Sequence, residues 1–224
     1  MIGEIHGTEE APFYMFQMIC QALGKGMAVT VGLELPYEEQ DGIVAFLQSA
    51  GRTADQEKLL SLPFWKRSYQ DGRTSRAMYQ LIENMRSKSY YKDRLRVILI
   101  DDPSTYERDV FMAKNVLSAV KTRPENVFFI LTGNQHNIIL EGTDHMGAIV
   151  AKEIGIENIC SLQQRYTQGK AWICNGSGGC GESTVSGNGR NEVGIEIDYE
   201  PFEYHGFFDM GEVTASHPAI TSLK

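Results

Sequence analysis

Residues Met1–Pro12 read MIGEIHGTEEAP, and the fold turns on how this stretch divides. Met1, Ile2 and Ile5 are the apolar positions of a short buried strand, and the chain runs from it directly into a helix. Thr8 is the expected N-cap, with Glu9 and Glu10 in the first turn. A hydroxyl there takes up an orphan backbone N–H, and acids suit the positive end of the helix dipole. Alternation puts Glu4 and His6 on one side of the strand, at its carboxyl end. In an open α/β sheet that end is where ligands bind. Packing alone gives little reason for a Glu-x-His pair followed by glycine at such a place.

The strand–helix alternation continues downstream. Ala11–Leu23 carries Phe13, Phe16, Ile19, Cys20 and Leu23 at helical spacing and stops at Gly24 and Gly26. Ala28–Leu35 (AVTVGLEL) is a strand ending in Glu34, and Tyr37–Gln48 is a helix ended by Gly51. Gln56–Gly72 contains LLSLPFWKRSYQDG, which is aromatic and basic without a clean period. A helix follows from about Thr74 to Ser87, with Met78, Leu81, Ile82 and Met85 on its apolar face. Arg94–Ile100 is a strand closed by Asp101, Asp102 and Pro103. Ser104 and Glu107 have the spacing of a capping box for a helix to about Lys121. Asn126–Thr132 is a fourth strand, followed by GNQH. A helix over Thr143–Ile154 and a strand over Asn158–Leu162 complete the alternation. Gly169–Asn191, rich in Gly, Ser and Asn, reads as a loop. The tail EVGIEIDYEPFEYHGFFDMG is aromatic and partly alternating, so it covers a sheet edge or forms a hairpin.

This order implies an α/β fold, a mainly parallel central sheet with helices on both faces and a C-terminal aromatic or β extension. The expected organisation is one domain over residues 1–224, with a core to residue 165 and a loop and extension over 166–224. The 224 residues can bury a substantial core, and 42% hydrophobic content is ordinary for a globular chain. A net charge of -8 and a pI near 5.2 argue against nucleic acid as partner. No apolar run is long enough to be a transmembrane segment. The first strand begins almost at residue 1, so an upstream secretion signal and a periplasmic or secreted location are expected. Cys20 and Cys160 read as small buried apolar residues. Cys174 and Cys180 flank the flexible NGSGG, and in an exported protein they form a disulfide.

Four successive strands end in polar groups: Glu4 and His6, Glu34, Asp101 and Asp102, then Asn134 and His136. Parallel topology brings these ends to one edge, as a crevice. Asp101 and Asp102 before proline also fit a turn role, as does Asn134 after Gly133. Glu34 ends an apolar strand where an unpaired carboxylate is costly. Arg108 and Asp109 in the first turn of a helix form a solvated pair, or Arg108 reaches the crevice as an anion clamp.

GEIHGTEE, followed by GLELP, ERDVFMAKN and LTGNQH, resembles the erythromycin-esterase/ChaN/Tiki superfamily, whose members share a Gly-Glu-x-His signature at the first strand and a Glu at the end of the second. The resemblance looks strongest to uncharacterised exported bacterial ChaN-like proteins and runs from Gly3 to about Gln164. WKRSYQDGRTS and ASHPA look like features of that subgroup. For erythromycin esterases the resemblance implies a hydrolase using His and Glu to activate water. For Tiki-type members it implies a metal-dependent protease, and for ChaN-type members haem binding without catalysis. By motif, Glu4, His6, Glu34 and His136 belong to the shared crevice, with Arg108 as polar partner.

Two functions follow as expectations. In the first, a hydrolase of a small-molecule or peptide substrate, one of His6 and His136 acts as general base toward water, Glu34 or Glu4 orients an imidazole, and Arg108 stabilises an oxyanion. Glu10, Asp102 and Asn134 are substrate-binding candidates. In a metal-assisted variant His6, Glu34 and His136 hold a divalent metal with an open position for water. No G-x-S-x-G elbow points to a serine nucleophile. In the second, a haem carrier draws on Phe64, Trp65, Tyr69, Tyr90, Tyr91 and Tyr204.

Overall fold

The computed structural model describes residues 1–176, 179–198 and 202–220. The alternation read from the sequence is present. Strand β1 (Ile2–Glu4) leads to helix α1 (Glu10–Gly24) and β2 (Val29–Pro36). A 3₁₀ turn (Tyr37–Glu39) and helices α2 (Gln40–Leu47), α3 (Thr53–Leu60), α4 (Pro63–Lys66) and α5 (Arg76–Ser87) precede β3 (Leu95–Asp101). Then come α6 (Arg108–Thr122), β4 (Val127–Gly133), a 3₁₀ turn (Asn134–Asn137), α7 (Met146–Ile154) and β5 (Leu162–Arg165). The C-terminal part adds β6 (Gln168–Asn175), β7 (Gly179–Ser186), β8 (Gly194–Ile197) and β9 (Gly206–Asp209). Among the described residues no helix is long and apolar enough to cross a membrane.

The main sheet has the order β3-β2-β4-β1-β5-β9-β8. All neighbours are parallel except β8, which pairs antiparallel with β9 at one edge. Strand β4 inserts between β1 and β2, so the crossover through α1 travels one way along the sheet and that through α6 the other. Right-handed connections then put these helices on opposite faces. The burial pattern agrees. Val31 and Leu33 of β2, Val97 and Leu99 of β3 and Leu131 of β4 pack with α1, α2 and α5. Ile100 and Ile130 face Met112, Val116, Met146 and Val150 of α6 and α7. The apolar stripe expected on the third helix, Met78, Leu81, Ile82 and Met85, is buried as read.

Several local expectations are corrected. Thr8 does not cap α1; its hydroxyl donates to Ile5 O at 3.4 Å, and the helix starts two residues later. Ser104 makes no capping box, because Asp102 Oδ1 accepts both its N–H (2.9 Å) and its hydroxyl (2.5 Å) in a turn. The fifth strand starts where it was expected to end, at Leu162. Cys160 is exposed and Cys20 half-buried, not core residues. The loop expected over Gly169–Asn191 is largely the β6–β7 hairpin, in which Cys174 lies opposite Cys180 and the two form the expected disulfide. The tail supplies β8 and β9 and so serves as both edge and hairpin. Residues 177–178 and 199–201, within these two stretches, lie outside the described residues.

What positions the site is the tight stacking of three backbone segments. Gly7 N and Gly72 lie so close that a Cβ on Gly72 would stand 2.5 Å from Gly7 N. A Cβ on Gly7 would stand 2.1 Å from Trp172 O in the hairpin. Both glycines have positive φ, 79° and 93°, a region that costs other residues about 1 kcal/mol or more. The expectation is that Gly72→Ala lowers unfolding free energy by at least about 2 kcal/mol, combining a left-handed backbone with a clash against main chain. Urea denaturation checks this, and an unchanged midpoint would show that the two loops are not packed as described.

Candidate active site

The carboxyl ends of β1, β2 and β3 carry acids with little access to water: Glu4 is 4%, Glu34 4% and Asp101 0% exposed. A carboxylate in such a place stays ionised only where ionic and hydrogen-bond partners replace its hydration. Glu34 has them. Its Oε1 accepts from Arg73 Nη1 at 3.0 Å and Arg108 Nη2 at 2.8 Å, and its Oε2 accepts the Gly133 N–H at 2.7 Å. Asp101 shares both guanidinium groups, with Arg73 Nη1 at 2.8 Å and Arg108 Nη2 and Nε at 2.7 and 2.9 Å. Two acids and two bases thus neutralise one another.

Local structure explains the aim of Glu34. Between β2 and β3, Leu33 lies opposite Leu99 but Pro36 opposite Asp101, so β2 carries one extra residue at this point. A bulge of this kind bends the strand and re-aims its side chains. Arg73 comes from the loop between α4 and α5, and Asp71 fixes its other edge through Nη2 (2.7 Å) and Nε (3.1 Å). Arg67 pairs with Asp71 in turn. The Phe64 ring supports both arginines, 3.5 Å from Arg67 Cζ and 5.1 Å from Arg73 Cζ.

Two imidazoles flank Glu34. His6 Nδ1 bonds Glu4 Oε1 at 3.0 Å, and its Nε2 lies 3.4 Å from Glu34 Oε2. His136 Nδ1 bonds Asp109 Oδ1 at 2.9 Å, and its Nε2 lies 3.6 Å from Glu34 Oε1. Each ring has one nitrogen on its own carboxylate and the other turned to a shared one. Both retain some exposure, 22% and 15% of the side chain. Burial pushes the His6 imidazolium toward losing its proton, but Glu34 and Glu4 on its two nitrogens outweigh this and raise its pKa to about 10. Burial likewise pushes Glu34 up, and the surrounding His6, Arg73 and His136 hold it well below the ordinary carboxylate range. Glu4 is raised, chiefly by burial.

The structure brings together Glu4, His6, Glu34, Arg108 and His136, five of the residues singled out in the sequence. Three others stand apart. The Glu10 carboxylate accepts the Thr214 N–H at 3.0 and 3.1 Å and ties α1 to the C-terminal segment. Asp102 organises the turn around Ser104. Asn134 lies beside Gly3, its Oδ1 buried with no hydrogen-bond partner among the described residues and its backbone oxygen accepting the Tyr204 hydroxyl at 2.9 Å. Sequence reasoning missed Arg73 and Asp71, and it read Asp109 as a solvated partner of Arg108 when it serves His136.

A metal does not suit this arrangement. Among the described residues no group of three His, Cys, Asp or Glu side chains is placed to hold an ion. The expected ligand set His6, Glu34 and His136 fails because Glu34 already carries two guanidinium groups, whose charge would oppose a cation. The aromatic residues expected to receive haem do not converge either. Trp65 and Phe64 are buried in the core, Tyr69 and Tyr90 are exposed, and Tyr91 packs against the core. The Tyr204 hydroxyl is engaged by Asn134, and burial raises its pKa to about 12.

No protein-family model and no curated protein sequence matches this chain. Solved structures do match in fold. A succinoglycan biosynthesis protein superposes with a TM-score of 0.66 at 9% identity, covering 96% of this chain and 88% of that one. A Bacillus cereus protein gives 0.65 at 11% identity, covering 98% and 89%. An erythromycin esterase variant in its open conformation gives 0.60 at 10% identity, covering 97% and 87%. The chain therefore shares the fold of these structures, an erythromycin esterase among them.

The clamp has two measurable consequences. Glu34→Gln removes the charge that Arg73 and Arg108 share beside Asp101 and is expected to lower unfolding free energy by about 3–5 kcal/mol, read from urea denaturation. His6 has a folded pKa raised from 6.5 to about 10, so its stabilising contribution is complete below 6.5 and is lost as pH rises toward 10. The stability of the wild type is expected to fall across that window, and His6→Gln to flatten the fall. Parallel pH profiles for the two proteins would contradict it.

Proposed function

We propose that this chain is a hydrolase whose chemistry is carried by His6 and His136 at the two oxygens of Glu34. The observation that supports it best is the doubled arrangement itself: two partly exposed imidazoles, each held at Nδ1 by its own carboxylate, with both Nε2 atoms turned to the shared Glu34. Hydrolysis needs a group that takes a proton from water and one that gives a proton to the leaving group. His6, held as imidazolium by Glu4 and Glu34, is suited to giving. His136 is left to accept. In this reading a water molecule attacks the substrate carbonyl as His136 Nε2 takes its proton, and His6 Nε2–H protonates the departing oxygen or nitrogen.

Arg108 supplies the charge for the intermediate. Its Nε and Nη2 are committed to Asp101 and Glu34, but Nη1 has no hydrogen-bond partner among the described residues and is not buried. A donor fixed in this way can meet a developing oxyanion or a substrate carboxylate without reorganising. The fold shared with an erythromycin esterase makes esters and lactones the first substrates to try, with peptides next. The Cys174–Cys180 disulfide fits an exported protein.

The test is turnover of a panel of p-nitrophenyl esters, lactones and chromogenic peptides. His136→Asn and His6→Asn are each expected to lower kcat/KM by about 10²–10⁴-fold, with circular dichroism showing an intact fold. Folded variants that turn over as fast as the parent would remove the two histidines from the chemistry.

A further inference from the structure

Asp109 occupies the second position of α6, next to Arg108, and the two side chains serve different halves of the crevice. Arg108 reaches Glu34 and Asp101, while Asp109 turns to the 3₁₀ turn after β4. A single oxygen, Oδ1, accepts from His136 Nδ1 at 2.9 Å and from the Met146 N–H at 2.8 Å. Met146 is the first residue of α7, whose N-cap residue His145 offers no side-chain bond. The Asp109 carboxylate thus does the work of a cap from another helix, at the positive end of α7, where its charge is favoured. An ionised carboxylate only accepts. The ring nitrogen facing it must therefore carry a proton.

We infer that Asp109 is the positioning residue of His136, fixing the ring in the Nδ1–H tautomer so that proton exchange takes place at Nε2. Glu34 does not compete for this ring. Its Oε1 already accepts two guanidinium N–H groups, and the 3.6 Å to His136 Nε2 exceeds a hydrogen bond. Burial works against ionisation of Asp109, but the His136 ring and the Met146 N–H lower its pKa below the ordinary value. The inference rests on the hydrolase reading for its catalytic part and on geometry alone for the tautomer.

A purely structural cap and a positioning group behave differently when the acceptor beside the ring is removed. Because one oxygen takes both bonds, Asp109→Asn can hold its amide oxygen there and keep them, whereas Asp109→Ala leaves Nδ1 without an acceptor and frees the ring proton to move to Nε2. In serine-protease triads loss of the correct tautomer costs about 10⁴-fold in kcat.

The experiment is ¹⁵N NMR of histidine-labelled full-length protein at a pH where His136 is neutral, with His136 assigned by its loss in His136→Asn. The wild type is expected to show the Nδ1–H tautomer, Asp109→Asn to keep it, and Asp109→Ala to gain the Nε2–H tautomer. With p-nitrophenyl acetate as probe, Asp109→Ala is expected to lose at least about 100-fold in kcat with KM little changed. An Nε2–H tautomer in the wild type, or the same tautomer in the wild type and Asp109→Ala, overturns the inference. A tautomer change with kcat unaltered overturns its catalytic part. A wild type inactive on the whole substrate panel sinks the hydrolase reading, and the tautomer measurement still decides the role of Asp109.

Discussion

Glu34 lies two residues from the end of a strand in which every residue is buried, and its ionised form is possible there because Arg73, Arg108 and the Gly133 N–H stand where water would. Removing one partner of such a group leaves an uncompensated charge, which is far more costly than the pair is stabilising. The cluster is therefore interlocked. Arg73 is held by Asp71, Asp71 by Arg67, and both arginines by the face of Phe64. Each histidine has its own acid. If His6 lost its proton, Glu4 and Glu34 would face each other with no charge between them, and this is why its pKa is carried so high.

Topology decides that these groups meet at all. Strand β1 is three residues long, yet Ile2, Gly3 and Glu4 lie beside Leu131, Thr132 and Gly133 at the far end of β4. The strand is placed so that its last side chain reaches the carboxyl edge. Because β4 separates β1 from β2, the segments that follow β1 and β4 both reach Glu34, His6 at Oε2 and His136 at Oε1.

The part of the site carried by strand ends was legible, since a polar residue closing an apolar strand is too costly to bury there without a partner. Glu4, His6, Glu34 and His136 were found that way, and Arg108 by its place in the first turn of a helix. Arg73 and Asp71 were hidden because they lie in the aperiodic stretch between α4 and α5, where no spacing rule says which way a side chain turns. The signal present was chemical: WKRSYQDGR places three bases and an acid next to two aromatic residues with no helical period to make them a solvated face. Asp109 was misread because an acid beside an arginine looks like its partner, and only tertiary packing shows the two pointing apart. The hairpin over Gln168–Ser186 was lost to composition. Its Gly and Ser residues depress strand propensity, but cross-strand pairing and burial of Ala171 outweigh that preference.

That hairpin and the ASHPA stretch are more than a cover. Gly7 O accepts N–H groups from both Trp172 (2.9 Å) and Ser216 (2.8 Å), so the residue after His6 is held from two directions. The same two segments hold the arginine loop. Trp172 Nε1 donates to Gln70 O at 2.8 Å, and Ala219 N donates to Thr74 O at 3.0 Å on the other side of Arg73. The disulfide joins the hairpin strands at Cys174, whose sulfur sits 3.3 Å from Gln70 O. Loops rich in glycine lose much conformational freedom on ordering, and a buried arginine on a wandering loop would leave Glu34 exposed to its own desolvation cost. Residues remote in sequence from every strand end therefore do the positioning that lets a short strand, a bulge and two helix termini act as one site.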